Sequence, residues 1–292
     1  MTVPDTDRRT RDVDAAHLQP LHEAERTAQR IVTVHEGCRM VWRRWGSGPP
    51  LALLHGGYGS WRHWIRTIPA LASRRTLLVA DLPGLGDSDE VSAPATPECI
   101  ATHVRHGLRE LVGGHDPVDL VGFSFGSTIA GHIAAQIGPG IGTLVLTGPG
   151  ALGLTIRKIE LLKWDEAMAA GRRREVLRTN LSRLMLAEPA SIDELAIQIQ
   201  YENTRRARLK SRTFAATDTL AQALRRACPR RMFAIWGEQD AVARGYFAER
   251  EAFFRSLRAD AGIHLIPGAG HWVAYEAAQP FNEVLRQCLE PG

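Results

Sequence analysis

The stretch Val118-Asp119-Leu120-Val121-Gly122-Phe123-Ser124-Phe125-Gly126 limits what this chain can fold into more than any other part of it. An apolar run ending at Val121 reads as a buried strand, and Ala130, Gly131, Ala134 and Ala135 are small enough for a helix lying close against a sheet. Between them, Gly122-x-Ser124-x-Gly126 fits a sharp strand-to-helix turn, the nucleophile elbow. So tight a turn leaves no room for Cβ atoms beside the nucleophile, and glycine tolerates backbone conformations that other residues resist. Ser124 is thereby pushed out at the carboxyl end of the strand, where the helix that follows points backbone N–H groups at any negative charge that develops. A Gly/Ser-rich turn without chemistry would have the same five-residue pattern, so the remaining chain has to decide.

With 292 residues and 44% hydrophobic content, the chain can bury one large core, or one core and a small inserted unit. The net charge is +4, but the arginines are scattered among Glu and Asp over most of the length, which argues against a nucleic-acid face. Cys38, Cys99, Cys228 and Cys288 are far apart, with neither metal-ligand spacing nor a disulfide framework, as for reduced thiols. Residues 1–29 are polar, mixed in charge and without the apolar centre of a signal peptide, so they read as a flexible N-terminal arm. No apolar run is long enough to span a bilayer. The expectation is a soluble cytoplasmic protein without a membrane or nucleic-acid partner; assembly as a homo-oligomer is compatible with the sequence.

Ile31–His35 and Met40–Trp45 suggest an opening hairpin. Leu51–Leu54, Leu77–Ala80 and Thr143–Leu146 are apolar at nearly every position, as strands covered on both faces are. Helices are predicted over Trp61–Ala72 and Pro97–Val112, the latter with proline in its first turn and Gly113-Gly114 after its end. Strands alternating with helices at this spacing imply an α/β fold with a parallel sheet and helices on both faces. The alternation breaks at Gly148-Pro149-Gly150. From there to Arg212 only helices are expected: Ile156–Ala169, Arg173–Leu186, and one opening at the capping-box sequence Ser191-Ile192-Asp193-Glu194. The pattern then resumes with strands Met232–Trp236 and Gly262–Ile266 and helices Tyr246–Leu257 and Gln279–Leu289. The predicted division is an arm (1–29), a core (30–150 and 213–292) and a helical insertion (151–212).

In an open parallel sheet, ligands bind at the carboxyl ends of the strands. His55-Gly56-Gly57, Ser124, Asp240 and His271 all fall at such ends. A serine hydroxyl needs an adjacent base, and the base needs a carboxylate to fix its tautomer. His271 and Asp240 can supply those roles, with Glu238 a rival for the acid, while Gly57 and Phe125 offer N–H donors for an oxyanion. His55 reads as an organiser of the donor loop rather than a base, and Asp81 and Asp87 as residues that tie down their own turn. Tyr58, Phe123 and Trp272 are candidate pocket residues, an ordinary apolar wall being the alternative for Trp272. Arg172–Arg174, Arg205, Arg206 and Arg208 read as solvated helix faces, with an acidic substrate as the competing explanation.

The motifs His55-Gly56-Gly57, Asp81-Leu82-Pro83-Gly84-Leu85-Gly86-Asp87-Ser88, Gly122-Phe123-Ser124-Phe125-Gly126, Trp236-Gly237-Glu238-Gln239-Asp240 and Gly270-His271-Trp272 together resemble the α/β-hydrolase superfamily, in its cap-bearing branch. The resemblance covers nearly all of Ile31–Leu289, and the chain order Ser, Asp, His is the superfamily's. It implies an eight-stranded, mostly parallel sheet, a helical cap inserted after the sixth strand, and a site between core and cap. Serine at the elbow departs from the dehalogenase and epoxide-hydrolase members, which use Asp there. Outside the triad the chain is most similar to meta-cleavage-product hydrolases, which split a C–C bond, and to carboxylesterases. Phe123 stands where the former usually carry Asn, and Gln200 near where they carry a cap arginine. The expectation is a serine hydrolase of an ester, thioester or lactone of a small to medium apolar acyl compound, working through Ser124, His271 and Asp240 on a small-molecule substrate without metal or organic cofactor. A C–C hydrolase of a ring-fission product, an acyltransferase, and a non-catalytic binder on the same fold are the alternatives.

Overall fold

The computed structural model describes residues 5–92, 94–113 and 117–290, with side chains from Ala16 onward. Gly114 and the extreme ends of the expected arm and core lie outside them. Helix α1 (Asp5–Thr27) comes first, followed by the hairpin strands β1 (Gln29–His35) and β2 (Cys38–Trp45). Next come β3 (Pro50–Leu54), a 3-10 turn over Trp61–Trp64, α2 (Ile68–Leu71), β4 (Thr76–Ala80), α3 (Pro97–Val112), β5 (Val118–Phe123), α4 (Phe125–Ile137) and β6 (Ile141–Thr147). Between β6 and the seventh strand lie α5 (Ala170–Asn180), α6 (Glu194–Arg206) and α7 (Thr219–Leu224). The chain ends with β7 (Arg231–Gly237), α8 (Phe247–Leu257), β8 (Gly262–Ile266), α9 (Val273–Glu276) and α10 (Ala278–Leu289).

The strands form one eight-stranded sheet in the order β1-β2-β4-β3-β5-β6-β7-β8. Pairing is antiparallel at β1–β2 and β2–β4 and parallel throughout the rest. The unbroken apolar runs have their reason in the side-chain alternation of a strand. Leu51, Leu53, Val79, Val121 and Val145 face one core layer, with Leu285 and Leu289 of α10 and Leu21 of α1. Ala52, Leu54, Leu78, Leu120, Leu144 and Leu146 face the other, against Ile100 and Val104 of α3, Ile129 and Ile133 of α4, and Phe254 of α8.

Helix α3 matches its sequence signals: Thr96 Oγ1 accepts from Cys99 N at its start, and Gly113 closes it at φ 62°. Within the segment read as a flexible arm, Asp5–Thr27 forms helix α1, seated by Leu21 in the core, by Trp45 Nε1 donating to Ala24 O, and by Glu25 on Arg43. Three expectations are corrected. Trp61–Ala72 is not one helix; Thr67 and Pro69 stand where the 3-10 turn gives way to the short α2. Ile156–Ala169 is not helical, because its backbone is bonded to other elements: Arg157 N to Val242 O, and Leu162 N and O to the Asn180 side chain. The cap of α6 is Asp193, whose Oδ1 accepts from Ala196 N at 2.8 Å, while Ser191 lies in the preceding 3-10 turn. Helix α5 starts at Ala170 and runs on into a π turn over Leu181–Met185. Among the described residues no helix is long and apolar enough to cross a membrane.

Candidate active site

Strand β5 delivers Ser124 into the elbow at φ 50°, a left-handed value that a non-glycine residue adopts only at a cost. Both flanking glycines are required by contact. A methyl on Gly122 would overlap Gly126 O, and one on Gly126 would overlap the carbonyl oxygens of Leu54 and His55 at the end of β3. Ser124 N donates to Thr147 O of the neighbouring strand at 2.8 Å, which holds the turn against β6.

The loop after β8 brings His271 over the serine, with Nε2 3.0 Å from Ser124 Oγ and Nδ1 2.8 Å from Asp240 Oδ2. Burial pushes the Asp240 carboxyl up, but the adjacent His271 and the N–H groups of Val242 and Ala243 outweigh that and hold it below the usual carboxylate range. An ionised Asp240 only accepts, so His271 Nδ1 carries the proton and Nε2 is free to accept from the serine hydroxyl. Glu238, the rival acid, instead accepts from Gly268 N at 3.2 Å.

The β3 loop supplies the other side. His55 Nε2 accepts from Leu82 N at 2.9 Å, so its Nδ1 donates to Gly56 O. The ring is neutral and is spent on shaping the loop, since burial lowers its pKa. His63 does the same from the 3-10 turn: its Nδ1 accepts from Gly56 N at 3.2 Å. Gly57 and Phe125, at the cavity floor beside Ser124, have backbone N–H groups with no acceptor among the described residues.

These residues open into a cavity of about 280 Å³. Tyr58 and Phe123 line it. Trp272 does not; it is fully buried behind the site, stacked on Tyr275, with Nε1 donating to His63 O at 2.9 Å. The outer wall comes from the segment between β6 and β7, through Ile156, Leu161, Leu184, Met185 and Phe214. No acidic side chain lines the cavity among the described residues, but Arg157, Lys158 and Arg212 do. The Arg212 guanidinium stands 4.7 Å over the Tyr58 ring and has no carboxylate partner among the described residues. The arginines singled out by sequence are engaged elsewhere: Arg172 with Glu175, Arg174 with Glu194, Arg205 with Glu202, Arg206 with Glu202 and Asp87, Arg208 with Glu90. Arg212 was missed because nothing in its local sequence separates it from them.

A model of the alpha/beta hydrolase family matches residues 51–284. A 2-hydroxy-6-oxo-6-phenylhexa-2,4-dienoate hydrolase of Burkholderia cepacia is 27% identical over 92% of this chain and 99% of its own. A soluble epoxide hydrolase of Corynebacterium sp. (strain C12) is 41% identical, but over 98 residues only, so the chain spans about a third of that relative's length. Among solved structures, the esterase RhEst1 of Rhodococcus sp. ECU1013 superposes with a TM-score of 0.72 at 20% identity, over 91% of this chain and all of that one.

Proposed function

The chain belongs to the alpha/beta hydrolase family, and from that premise we propose that it is a serine hydrolase cleaving an ester, thioester or lactone of a small to medium apolar acyl compound. One observation carries this reading: the Ser124–His271–Asp240 relay stands at the floor of a mostly apolar cavity, beside two backbone donors with no acceptor among the described residues. Ser124 Oγ attacks the acyl carbon and its proton passes to His271 Nε2; Asp240 stabilises the imidazolium. The carbonyl π bond opens and its electron pair settles on oxygen, against the N–H groups of Gly57 and Phe125. As the tetrahedral species collapses, the bond to the leaving alcohol or thiol breaks and His271 protonates it. Water then attacks the acyl-enzyme with His271 as base, releasing the acid and restoring the serine. The segment carrying α5 and α6 acts as a cap, giving the acyl group its apolar wall.

The test is labelling of intact protein with a fluorophosphonate probe, read by mass spectrometry. Wild type takes up one probe at Ser124 and Ser124→Ala takes up none, with turnover reduced on the order of 10⁶-fold. Well-folded wild type that stays unlabelled, or Ser124→Ala with full turnover, would sink the mechanism.

A second reading has its own observation. Arg157, Lys158 and Arg212 at an otherwise apolar cavity suit an acyl compound with a carboxylate end. The relative from Burkholderia cepacia is named for such a dienoate. Hydrolysis of a coloured ring-fission product, followed as loss of absorbance and faster than that of a neutral 4-nitrophenyl ester, would favour C–C cleavage.

A further inference from the structure

Ser211 belongs to the cavity wall, yet the reaction derived above gives it nothing to do. It opens the 3-10 turn Ser211–Phe214 and is buried. Several buried side-chain nitrogen and oxygen atoms have no hydrogen-bond partner among the described residues; of these, only Ser211 Oγ comes from a residue lining the catalytic cavity. Folded proteins rarely leave a buried hydroxyl unpaired without a use for it.

Its position points to that use. A methyl built on Gly57 would overlap Ser211 Oγ and would stand 3.6 Å from Phe125 Cβ. The hydroxyl therefore occupies the space beside Gly57 that a side chain there would need, on the side facing Phe125. It is also held in place. Ser211 N donates to Leu209 O at 3.0 Å, and Arg208 N and Leu209 N both donate to Gly84 O, at 2.9 and 3.1 Å, in the loop after β4. Although Ser211 is reached through the cap, its backbone is fastened to the core.

We infer that the Ser211 hydroxyl is a third donor to the oxyanion, alongside the Gly57 and Phe125 amides; this rests on Ser124 being the nucleophile. Ser211 keeps its proton throughout and adds no covalent step. A fixed donor aimed at an oxygen gains most when that oxygen carries full charge, so Ser211 acts on the transition state more than on the bound carbonyl.

The test compares full-length wild type with Ser211→Ala and Ser211→Cys, using a 4-nitrophenyl acyl ester as substrate and an alkyl trifluoromethyl ketone as inhibitor. The ketone's adduct with the serine places an oxyanion in the hole. In Ser211→Ala, kcat falls on the order of 10²-fold while KM stays within about twofold. The inhibition constant for the ketone rises by a similar factor, and Ser211→Cys, a weaker donor, falls between. The melting temperature of Ser211→Ala is unchanged or raised, because the lost hydroxyl had no partner to abandon. An unchanged kcat, a raised KM alone, or a lowered melting temperature with unaltered inhibition would each overturn the assignment. Wild type labelled at Ser124 alongside an unaffected Ser211→Ala defeats only the third donor; unlabelled wild type defeats the nucleophile as well.

Discussion

His63 sets one pH limit of this molecule. Its ring is buried between Phe123, at 5.4 Å between centroids, and Trp272, at 5.0 Å, and its Nδ1 accepts the Gly56 N–H that shapes the donor loop. Burial, with the nearby His55 and His271 adding to it, pushes its pKa well below 6.5; burial also lowers that of His55. Both are therefore neutral in the folded protein at a pH where the unfolded chain has already taken up protons. The unfolded state binds more protons, so stability rises with pH across the window between the depressed folded values and about 6.5, and is lost as pH falls through it. Each such histidine contributes a slope of about 1.4 kcal/mol per pH unit inside that window. Urea midpoints measured from pH 8 to pH 5 should hold level to about pH 6.5 and then fall. In His63→Gln, which keeps an acceptor for Gly56 N without taking a proton, the fall should be shallower by roughly one proton's worth. An unchanged slope would mean that His63 does not titrate on unfolding.

Elements here are pinned by a few side chains, some of them readable in advance. Asp193 caps α6 through Ala196 N, accepts Tyr275 Oη–H at 2.5 Å and pairs with Arg66 at 2.9 Å, so one carboxylate joins α6 to α9 and to the segment before α2. Asp193→Ala should cost about 1–2 kcal/mol in a denaturant titration, and Asp193→Asn, which keeps the capping oxygen, less. Gly126→Ala should cost about 2–3 kcal/mol, since the oxygens it would strike are backbone and cannot swing aside. The strands and the elbow were legible because burial on both faces leaves unbroken apolar runs, and because close approach allows only glycine at positions 122 and 126. Ser124, Asp240 and His271 were legible as residues at strand ends, and the fold brings their side chains into hydrogen-bond contact. Ile156–Ala169 was not, because Asn180 and Val242 decide its backbone from elsewhere in the chain. His63, Arg212 and Ser211 could not be singled out either: a lone histidine, arginine or serine acquires meaning from what the fold sets against it, and Trp272 lost its expected place in the cavity wall for the same reason.

At the scale of the whole molecule, three separate parts of the chain meet at one cation. Arg43 of β2 is almost wholly buried and binds Asp81 at 3.1 Å and Asp87 at 2.6 Å in the loop after β4, and Glu25 of α1 at 2.8 Å. Asp87 in turn pairs with Arg206 at the end of α6, so α1, β2, the loop after β4 and α6 share a charge network. Asp81 is fully buried and also accepts from Trp61 N at 2.8 Å and Asp87 N at 3.1 Å, which ties the network to the 3-10 turn leading out of the donor loop. The exposure of the partners decides what each is worth. Glu25 is half exposed, and its loss leaves Arg43 with two carboxylates, so Glu25→Ala should cost no more than about 1 kcal/mol. Removing Arg43 strands the buried Asp81 without its cation, and Arg43→Met should cost about 3–5 kcal/mol despite filling the same space. If the network carries the loop's geometry, Arg43→Met/Asp81→Asn should recover part of that loss, because the neutral amide no longer needs a cation. Equal losses for Glu25→Ala and Arg43→Met would show instead that the docking of α1, and not the buried charge, sets the stability of this end of the fold.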